Sequence, residues 1–312
     1  MVRKVLTVTI NPAVDVTTEV EALKPKKKLR CAPPRYDPGG GGINVARMIA
    51  NLGGDVCAFV VAGGSSGKML RELCEEEGLE TEWFEIPDRT RELLKVLACD
   101  TGEMYRFVLP GPAIEARDQD AILDRIGALA GDFEWVVASG SLAPNMPSDF
   151  HARLARRVRD AGARFVVDTS GAALKEAVGA GVHLIKPDMH EAAELAGRDV
   201  AQAREHQEAL LDALLDRGAD IAIVTLGPEG AIAADRDGAR LRLRPPHVQE
   251  KSPVGAGDAF LGAAVHALSQ GESLEQAVRL AVAAAAATVE TKGTQVTTRD
   301  AILELRERVR QD

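Results

Sequence analysis

Cysteine is scarce in this sequence, and the cysteines that are there follow no recognisable pattern. They form no C-x-x-C pair, have no histidine at metal-ligand spacing, and stand at Cys31, Cys57, Cys74 and Cys99. This arrangement argues against a zinc site. We therefore expect reduced thiols with structural roles.

Long apolar runs and excess positive charge are also missing. No run approaches the roughly 20 apolar residues of a membrane-spanning helix, and the first residues alternate apolar and polar like a strand rather than a signal peptide. The formal charge of −9 argues against a broad basic surface for nucleic acid. We expect a cytoplasmic protein with neither a membrane nor a nucleic acid as partner. One basic run, Lys24 to Arg30, fits either a solvated loop or a local site for a phosphorylated ligand.

The 312 residues, 46% of them apolar, are enough for a sizeable core. Short apolar segments alternate with helical stretches, which is typical of a mostly parallel sheet covered by helices on both faces. The predicted strands cover residues 5–10, 56–61, 135–139, 165–168, 184–186 and 221–226. Polar residues such as Ser139, Asp168, Lys186 and Thr225 end several of these strands. In such a sheet the ligand crevice lies outside the carboxyl ends of the strands, so we expect these residues to converge on one site.

Two stretches break the alternation of strands and helices. Residues 12–37 and 88–112 are strand-like, bounded by proline and poor in helical patterning, which predicts a small β lid separate from the main sheet. We expect a single domain over residues 1–312 that includes this lid. Because lid strands present edges that a monomer must cover, we also expect a homodimer paired through the lid.

Two glycine-rich segments are candidate ligand loops. Pro38 to Asn44 contains four consecutive glycines, which suit either a linker or close approach of the backbone to a ligand. A linker is out of place between a lid strand and a core helix, so we favour ligand contact, with Asn44 as the first hydrogen-bonding side chain. The second segment, Gly255-Ala256-Gly257-Asp258, precedes an apolar helical run whose first N–H groups can bind an anion. Asp258 would then be a general base for phosphoryl transfer or, alternatively, the helix N-cap.

Three familiar motifs fail on inspection. Gly63 to Met69 imitates a phosphate-binding P-loop, but its spacing is one residue short and Met69 replaces the metal-binding hydroxyl. His190 lacks the second histidine of a zinc protease. The glycines at 255 and 257 lack the third glycine and the preceding strand of a dinucleotide site.

Taken in order, these segments resemble the phosphofructokinase B family of ribokinase-like carbohydrate kinases along essentially the whole chain. The shared motifs are Asn11-Pro12-Ala13-Val14-Asp15, the loop 39–44, Thr90-Arg91, Ser139-Gly140-Ser141, Asp168-Thr169-Ser170-Gly171, Lys186-Pro187-Asp188, the segment 225–230 and Val254 to Asp258. The resemblance implies a three-layer α/β/α core with a central, mostly parallel sheet and a small β lid. It also implies ATP-dependent phosphorylation of a sugar phosphate, with Mg²⁺. The lid sequence most resembles that of members that convert fructose 6-phosphate to fructose 1,6-bisphosphate.

The resemblance also implies roles for individual residues. Asp258 would be the general base, and backbone N–H groups of Gly255, Ala256, Gly257 and Asp258 would hold the charge on the transferred phosphoryl group. Sugar hydroxyls would be held by Asp15, Gly40, Gly41 and Asn44. The substrate phosphate would be held by Lys28, Arg30, Arg91, Arg106 and Ser141. The nucleotide would be bound by Lys186, Asp188, Thr225, Gly227 and Gly230, while Glu191 would organise magnesium through water.

Departures from the family pattern leave alternatives open. Asp188 stands where the family usually has asparagine, which adds a potential charge near the metal. Leu93 replaces an asparagine common in the lid, so the sugar contacts are less well defined. Glu250 and Pro253 alter the loop where relatives can bind a monovalent cation, which leaves K⁺ dependence open. Tagatose 6-phosphate or fructose 1-phosphate is the alternative substrate, and a non-catalytic sugar-phosphate sensor is the alternative class of function.

Overall fold

The computed structural model describes residues 3–291 and 297–311. Its strands are β1 (Arg3–Thr9), β2 (Ala13–Val20), β3 (Arg35–Gly39), β4 (Val56–Gly63), β5 (Thr81–Ile86), β6 (Arg91–Ala98), β7 (Glu103–Val108), β8 (Phe133–Ser139), β9 (Arg164–Asp168), β10 (Val182–Ile185), β11 (Ala219–Thr225), β12 (Ala231–Asp235), β13 (Arg240–Arg244) and β14 (Arg310–Gln311). Its helices are α1 (Gly41–Asn51), α2 (Gly64–Glu76), α3 (Ala116–Ala130), α4 (Phe150–Asp160), α5 (Gly171–Gly179), α6 (Met189–Ala196), α7 (Val200–Glu205), α8 (Gln207–Asp216), α9 (Ala256–Ser269), α10 (Leu274–Val289) and α11 (Arg299–Arg306).

Ten of these strands form the main sheet. Their order is β14-β13-β12-β11-β10-β9-β8-β1-β4-β5. Every pairing from β11 to β5 is parallel, and β12, β13 and β14 extend the sheet with antiparallel pairings. This arrangement confirms the predicted mostly parallel sheet.

Helices cover both faces of the main sheet, because its central strands are apolar on both sides. Successive residues of β1 divide between the layers: Val5 packs in the layer of α1, α2, α9, α10 and α11, and Leu6 in the layer that includes α3 to α8. The result is the three-layer α/β/α architecture implied by the sequence. No helix among the described residues is long and apolar enough to cross a membrane.

The second sheet has the order β3-β2-β6-β7; β2, β6 and β7 lie within residues 12–37 and 88–112, whereas β3 runs on to Gly39, beyond the expected boundary. The central strands β2 and β6 are parallel, whereas both edge strands are antiparallel to their neighbours. This sheet is called the lid below. Six large apolar side chains in this sheet or directly after it are 37–57% exposed, namely Tyr36, Leu94, Tyr105, Phe107, Val108 and Leu109.

Candidate active site

The glycine turn at residues 255–257 starts helix α9. Gly255 is the N-cap, with a left-handed φ of 82° that favours glycine, and the helix begins at Ala256. Asp258 is therefore the third residue of the helix, and the alternative interpretation of it as the N-cap is wrong. The first N–H groups of an α-helix have no acceptor within the helix. Those of Gly257 and Asp258 lie at the positive end of the helix dipole, where an anion is favoured.

The carboxylate of Asp258 is held by a residue from the opposite loop. Nδ2 of Asn44, in the first turn of α1, donates a hydrogen bond of 2.8 Å to Oδ2 of Asp258. Burial, and next the nearby charge of Asp168, raise the pKa of Asp258 to about 6, although the hydrogen bond from Asn44 acts in the opposite direction. Because Asn44 occupies Oδ2, the other oxygen is left to accept a proton. A carboxylate with this pKa is suited to general-base chemistry near neutral pH.

A lysine stands beside the glycine turn. Lys186 follows β10, and its Nζ lies 3.2 Å from Oδ1 of Asp168 at the end of β9. The same Nζ is 3.6 Å from the position that a Cβ on Gly257 would take. Burial acts to lower the pKa of Lys186, but the carboxylates of Asp168 and Asp258 outweigh it and raise the pKa. A charged ammonium group therefore borders the start of α9.

The four-glycine loop lies tightly against the ends of two strands. A Cβ on Gly41 would lie 2.5 Å from Oγ of Ser139, and one on Gly42 would lie 2.5 Å from Oγ1 of Thr9. Gly40 has a φ of 121°, which also favours glycine. Crowding within the protein thus favours glycine at these positions, and the helix that follows carries Asn44, which contacts Asp258. Ligand contact by Gly40 and Gly41 remains a prediction.

Asp15, predicted to bind a sugar hydroxyl, forms a buried ion pair in the lid. Oδ2 of Asp15 accepts a hydrogen bond of 2.7 Å from Nζ of Lys95. The Asp15 and Lys95 side chains are 6% and 1% exposed, respectively. Sequence reasoning missed Lys95, although one signal was available: it is a lone charge in the otherwise apolar run 93–97.

Two predicted phosphate ligands are engaged by the protein itself. The guanidinium of Arg91 donates to the carbonyl oxygens of Asn11, Pro12 and Leu109 at 3.0–3.4 Å. Burial lowers the pKa of Arg91, with Asp15 acting in the opposite direction. Oγ of Ser141 accepts a hydrogen bond of 3.2 Å from Nδ2 of Asn11.

The other predicted phosphate ligands lie on the lid surface. Lys28 and Arg30 are exposed in the connection between β2 and β3, and Arg106 is exposed on β7. All three side chains are exposed to solvent, and their contact with a substrate phosphate remains a prediction.

The predicted nucleotide residues flank the end of β11. Thr225 is half-buried, and its N–H donates to the carbonyl oxygen of Pro187 at 3.0 Å. Gly227 is exposed with a φ of 60°, and a Cβ there would meet nothing within 4 Å. Gly230 differs, because a Cβ there would lie 2.0 Å from the carbonyl oxygen of Leu243. Packing against β13 therefore accounts for Gly230, while Gly227 leaves open space for a ligand.

Asp188 and Glu191 form a capping box at the start of α6. Oδ1 of Asp188 accepts from the N–H of Glu191 at 2.9 Å, and Oε2 of Glu191 accepts from the N–H of Asp188 at 3.0 Å. Burial, with smaller contributions from Asp188 and Asp168, raises the pKa of Glu191. The charge of Asp188, which the sequence suggested would act near a metal, thus has a role in helix capping.

The acidic groups here fit indirect rather than enclosed magnesium binding. Over residues 3–291 and 297–311, no group of three or more His, Cys, Asp or Glu side chains is arranged to hold a metal ion. Mg²⁺ usually keeps several waters and binds one or two carboxylates together with substrate phosphates. Glu191 and Asp168, which interact electrostatically with each other and with Lys186, fit that mode.

The rejected P-loop imitation does form a strand-to-helix turn, from β4 to α2, but the turn is filled. A Cβ on Gly63 would lie 1.9 Å from the carbonyl oxygen of Ile86. Oγ1 of Thr90 accepts from the N–H of Gly63, and Oγ of Ser66 donates to the carbonyl oxygen of Thr90 at 2.6 Å. Residues 86–90 therefore pack closely against this turn.

The central residues combine the parts needed for phosphoryl transfer. Asp258 can accept a proton from a hydroxyl while the helix start and Lys186 hold an anion beside it. Asp168, which ends a predicted strand but was not assigned a role from sequence, links these groups through Lys186 and accepts a 3.4 Å hydrogen bond from Ser139. The fold and the site thus define a phosphotransferase acting on a hydroxyl.

The chain belongs to the pfkB family carbohydrate kinases, whose family model matches residues 5–301. It is 41% identical over 298 residues to the ATP-dependent 6-phosphofructokinase isozyme 2 of Mycobacterium tuberculosis, covering 95% of this chain and 87% of that protein. It is 35% identical over 283 residues to the 1-phosphofructokinase of Xanthomonas campestris, covering 89% and 88% of the two chains.

Crystal structures of Escherichia coli phosphofructokinase-2 share the whole fold. The complex with fructose-6-phosphate has a TM-score of 0.91 at 34% identity, and the complex with potassium has a TM-score of 0.93 at 35% identity. A tetrameric inhibited form of the same protein has a TM-score of 0.90 at 34% identity. Each covers 99% of both chains, which confirms the ribokinase-like fold implied by the sequence.

Proposed function

We propose that the protein transfers a phosphoryl group from ATP to the 1-hydroxyl of fructose 6-phosphate, giving ADP and fructose 1,6-bisphosphate. The observation that carries the chemistry is Asp258, with a pKa raised to about 6 in the first turn of α9. The similarity to 6-phosphofructokinase isozyme 2 over 95% of the chain supports the substrate.

In this reaction Asp258 accepts the proton of the 1-hydroxyl on the oxygen that Asn44 leaves open. The sugar oxygen forms a bond to the γ-phosphorus, and the bond from that phosphorus to the β–γ bridging oxygen breaks, so ADP leaves with the electron pair. The N–H groups of the glycine turn stabilise the charge on the transferred group. Losing one preorganised donor of this kind costs about 3–4 kcal/mol of barrier.

The remaining predicted site residues bind the two substrates. The sugar hydroxyls are bound by Asp15, Gly40, Gly41 and Asn44. The phosphate already on the sugar is bound by Lys28, Arg30, Arg91, Arg106 and Ser141. On the nucleotide side we assign Lys186, Thr225 and Gly227 to the phosphates, with Asp188 and Gly230 shaping the adjacent turns. When bound, Mg²⁺ would neutralise charge on the ATP phosphates, and Glu191 would hold it through water.

Fructose 1-phosphate is the alternative substrate that a specific observation favours, because a 1-phosphofructokinase is 35% identical to this chain. The two reactions use the same base and glycine turn and differ in where the lid holds the phosphate. Tagatose 6-phosphate, which differs from fructose 6-phosphate at C4, is the other alternative. A non-catalytic sugar-phosphate sensor is disfavoured because Asp258 and the helix start are intact.

We extend the proposal to a homodimer paired through the lid. The exposed apolar side chains of the lid include Leu94 and Phe107, which lie directly opposite each other on β6 and β7. A patch of this kind marks a protein–protein interface. A mass in solution of twice the chain mass of 33.2 kDa is expected by light scattering at micromolar concentration. A monomer would contradict the extension.

The proposal also includes a cytoplasmic location and activation by K⁺. The free thiols of Cys31 and Cys99 are exposed, which suits the reducing conditions of the cytoplasm. K⁺ would act at the loop containing Glu250 and Pro253, and the similar E. coli protein forms a complex with potassium. Replacing K⁺ by tetramethylammonium in the assay tests this part.

The deciding experiment measures ATP-dependent ADP release with Mg²⁺ and compares kcat/KM for fructose 6-phosphate, tagatose 6-phosphate, fructose 1-phosphate and free fructose. We expect fructose 6-phosphate to be preferred. A preference for another sugar phosphate would retain the mechanism and replace the substrate. No turnover with any of them would overturn the proposed function in favour of a sensor.

A further inference from the structure

Lys95 places its side-chain ammonium group in the interior of the lid. Its side chain is 1% exposed, and its Nζ donates a 2.7 Å hydrogen bond to Oδ2 of Asp15. Burying an ammonium group is costly unless it is paired and hydrogen-bonded. An apolar residue would fill a purely structural position in β6 at a lower cost in desolvation. The buried charge therefore indicates a functional role.

The second carboxylate oxygen of Asp15 faces the glycine loop. A Cβ on Gly39 would lie 2.5 Å from Oδ1 of Asp15, so only glycine leaves room for this oxygen. The charge of Asp15 also acts on Asp258. Burial and Asp168 raise the pKa of Asp258 most, and Asp15 raises it further. One oxygen of Asp15 is thus held by Lys95, and the other lies over the loop that leads to Asn44.

The neighbours of Lys95 are also charged. On β7, Arg106 lies directly opposite Lys95 in the strand pairing. Like charges in this position destabilise a sheet, and a nearby anion relieves the repulsion. Asp15 supplies one negative charge, and the phosphate of the proposed substrate supplies a second.

We infer that Lys95 is a positioning residue of the sugar subsite, which holds the Asp15 carboxylate in place and fixes the direction of its second oxygen toward a hydroxyl of a ketose phosphate. This inference rests on the proposed function and deepens it. An acceptor fixed in this way favours substrates with a hydroxyl at the matching carbon and disfavours analogues that lack it. Lys95 itself does not touch the reacting atoms.

The test is a double-mutant cycle that compares Lys95→Met, Asp15→Asn and the double variant with the wild type. Calorimetry measures the Kd of fructose 6-phosphate in the absence of ATP, and kinetics give KM for both substrates. We expect Lys95→Met to raise Kd and sugar KM about tenfold or more, because Asp15 loses the partner that fixes its direction, with kcat and ATP KM nearly unchanged. Because Lys95 acts through Asp15, adding Lys95→Met to Asp15→Asn should change sugar affinity little.

Lys4→Met is the matched control, since it breaks an ion pair of 2.9 Å with Glu134 at the opposite end of the central strands. It should leave sugar affinity unchanged. Unchanged affinity in Lys95→Met, or additive effects of the two substitutions, would overturn the inference. If Lys95→Met does not fold, the comparison of Asp15→Asn with the double variant, which carries no unpaired charge, decides the question. Failure of the proposed function is separate, because the wild type would then turn over no sugar phosphate.

Discussion

The glycine turn and the lid position their charged side chains in different ways. Around the turn, Asp168 and Lys186 stand at strand ends and Asp258 at a helix start, so the order of strands in the sheet brings them together. In the lid, Asp15 and Lys95 lie within strands and meet because they share one face of β2 and β6. Chemistry at element ends can be read from motifs, whereas chemistry within a sheet depends on register.

Replacing Asp258 should have the largest effect of any single change. We expect Asp258→Asn to lower kcat at least about 100-fold, because the amide cannot accept the proton of the sugar hydroxyl. KM for both substrates should change little. Steady-state kinetics at pH 8, well above the pKa of about 6, measure the effect with the wild-type base fully ionised.

Asp118→Asn is the matched control, because Asp118 is also the third residue of its helix, α3. It should retain wild-type kcat. Near-normal turnover in Asp258→Asn would show that Asp258 is not the base. It would also contradict the view that the chemistry at element ends, such as the glycine turn, can be read from sequence motifs.

The same distinction explains how much could be predicted from the sequence. The parallel strands and the start of α9 follow from apolar runs with polar or glycine-rich ends, and these local signals placed Asp258 and Lys186 near one site. The capping box of Ser273 and Gln276 at the start of α10 is a local signal of the same kind. The interpretation of Asp188 as a metal-tuning charge came from the family pattern, and its local role as a helix cap was not foreseen.

Strand pairing was beyond the reach of sequence patterns. The partner of Lys95 lies 80 residues away, and a one-residue change of register would turn Lys95 to the other face of the lid. Strand β5 was missed because it lies at the edge of the sheet and is half exposed, which removes a clear apolar signal. Arg91 shows the same limit, since its contacts with main-chain carbonyl oxygens depend on how the lid folds back.

A change in the four-glycine loop tests whether crowding within the protein explains it. In Gly42→Ala the new Cβ would lie 2.5 Å from Oγ1 of Thr9 and 2.6 Å from the carbonyl oxygen of Val8. We expect a loss of about 1–3 kcal/mol in the free energy of unfolding, typical of overpacking. Chemical denaturation measures it, and Gly131→Ala is the control, because a Cβ there meets nothing within 4 Å. Equal stability of the two variants would leave ligand contact as the explanation.

Two lid arginines should respond differently. Arg106→Ala should raise sugar-phosphate KM about tenfold through loss of a charge contact, without loss of stability, because Arg106 is exposed. Arg91→Ala should lower the melting temperature as well, since Arg91 donates to the carbonyl oxygens of Asn11 and Pro12. Thermal unfolding and KM measured on both variants separate phosphate binding from support of the lid. Similar melting temperatures would assign Arg91 to the substrate alone.

The smallest effect concerns the pH dependence of the base. Asp258 must be ionised to act, so kcat/KM of the wild type should fall as the pH drops through about 6. Nδ2 of Asn44 stabilises the ionised form, and its removal in Asn44→Ala should raise the pKa of Asp258 further. A hydrogen bond to a charged group contributes about 1.5 kcal/mol. The acid limb, which is the fall of kcat/KM at low pH, should therefore move up by about one pH unit. Asn51→Ala, at the end of the same helix, should leave the limb in place. An unmoved limb in Asn44→Ala would show that the hydrogen bond between the glycine loop and the turn does not tune the base.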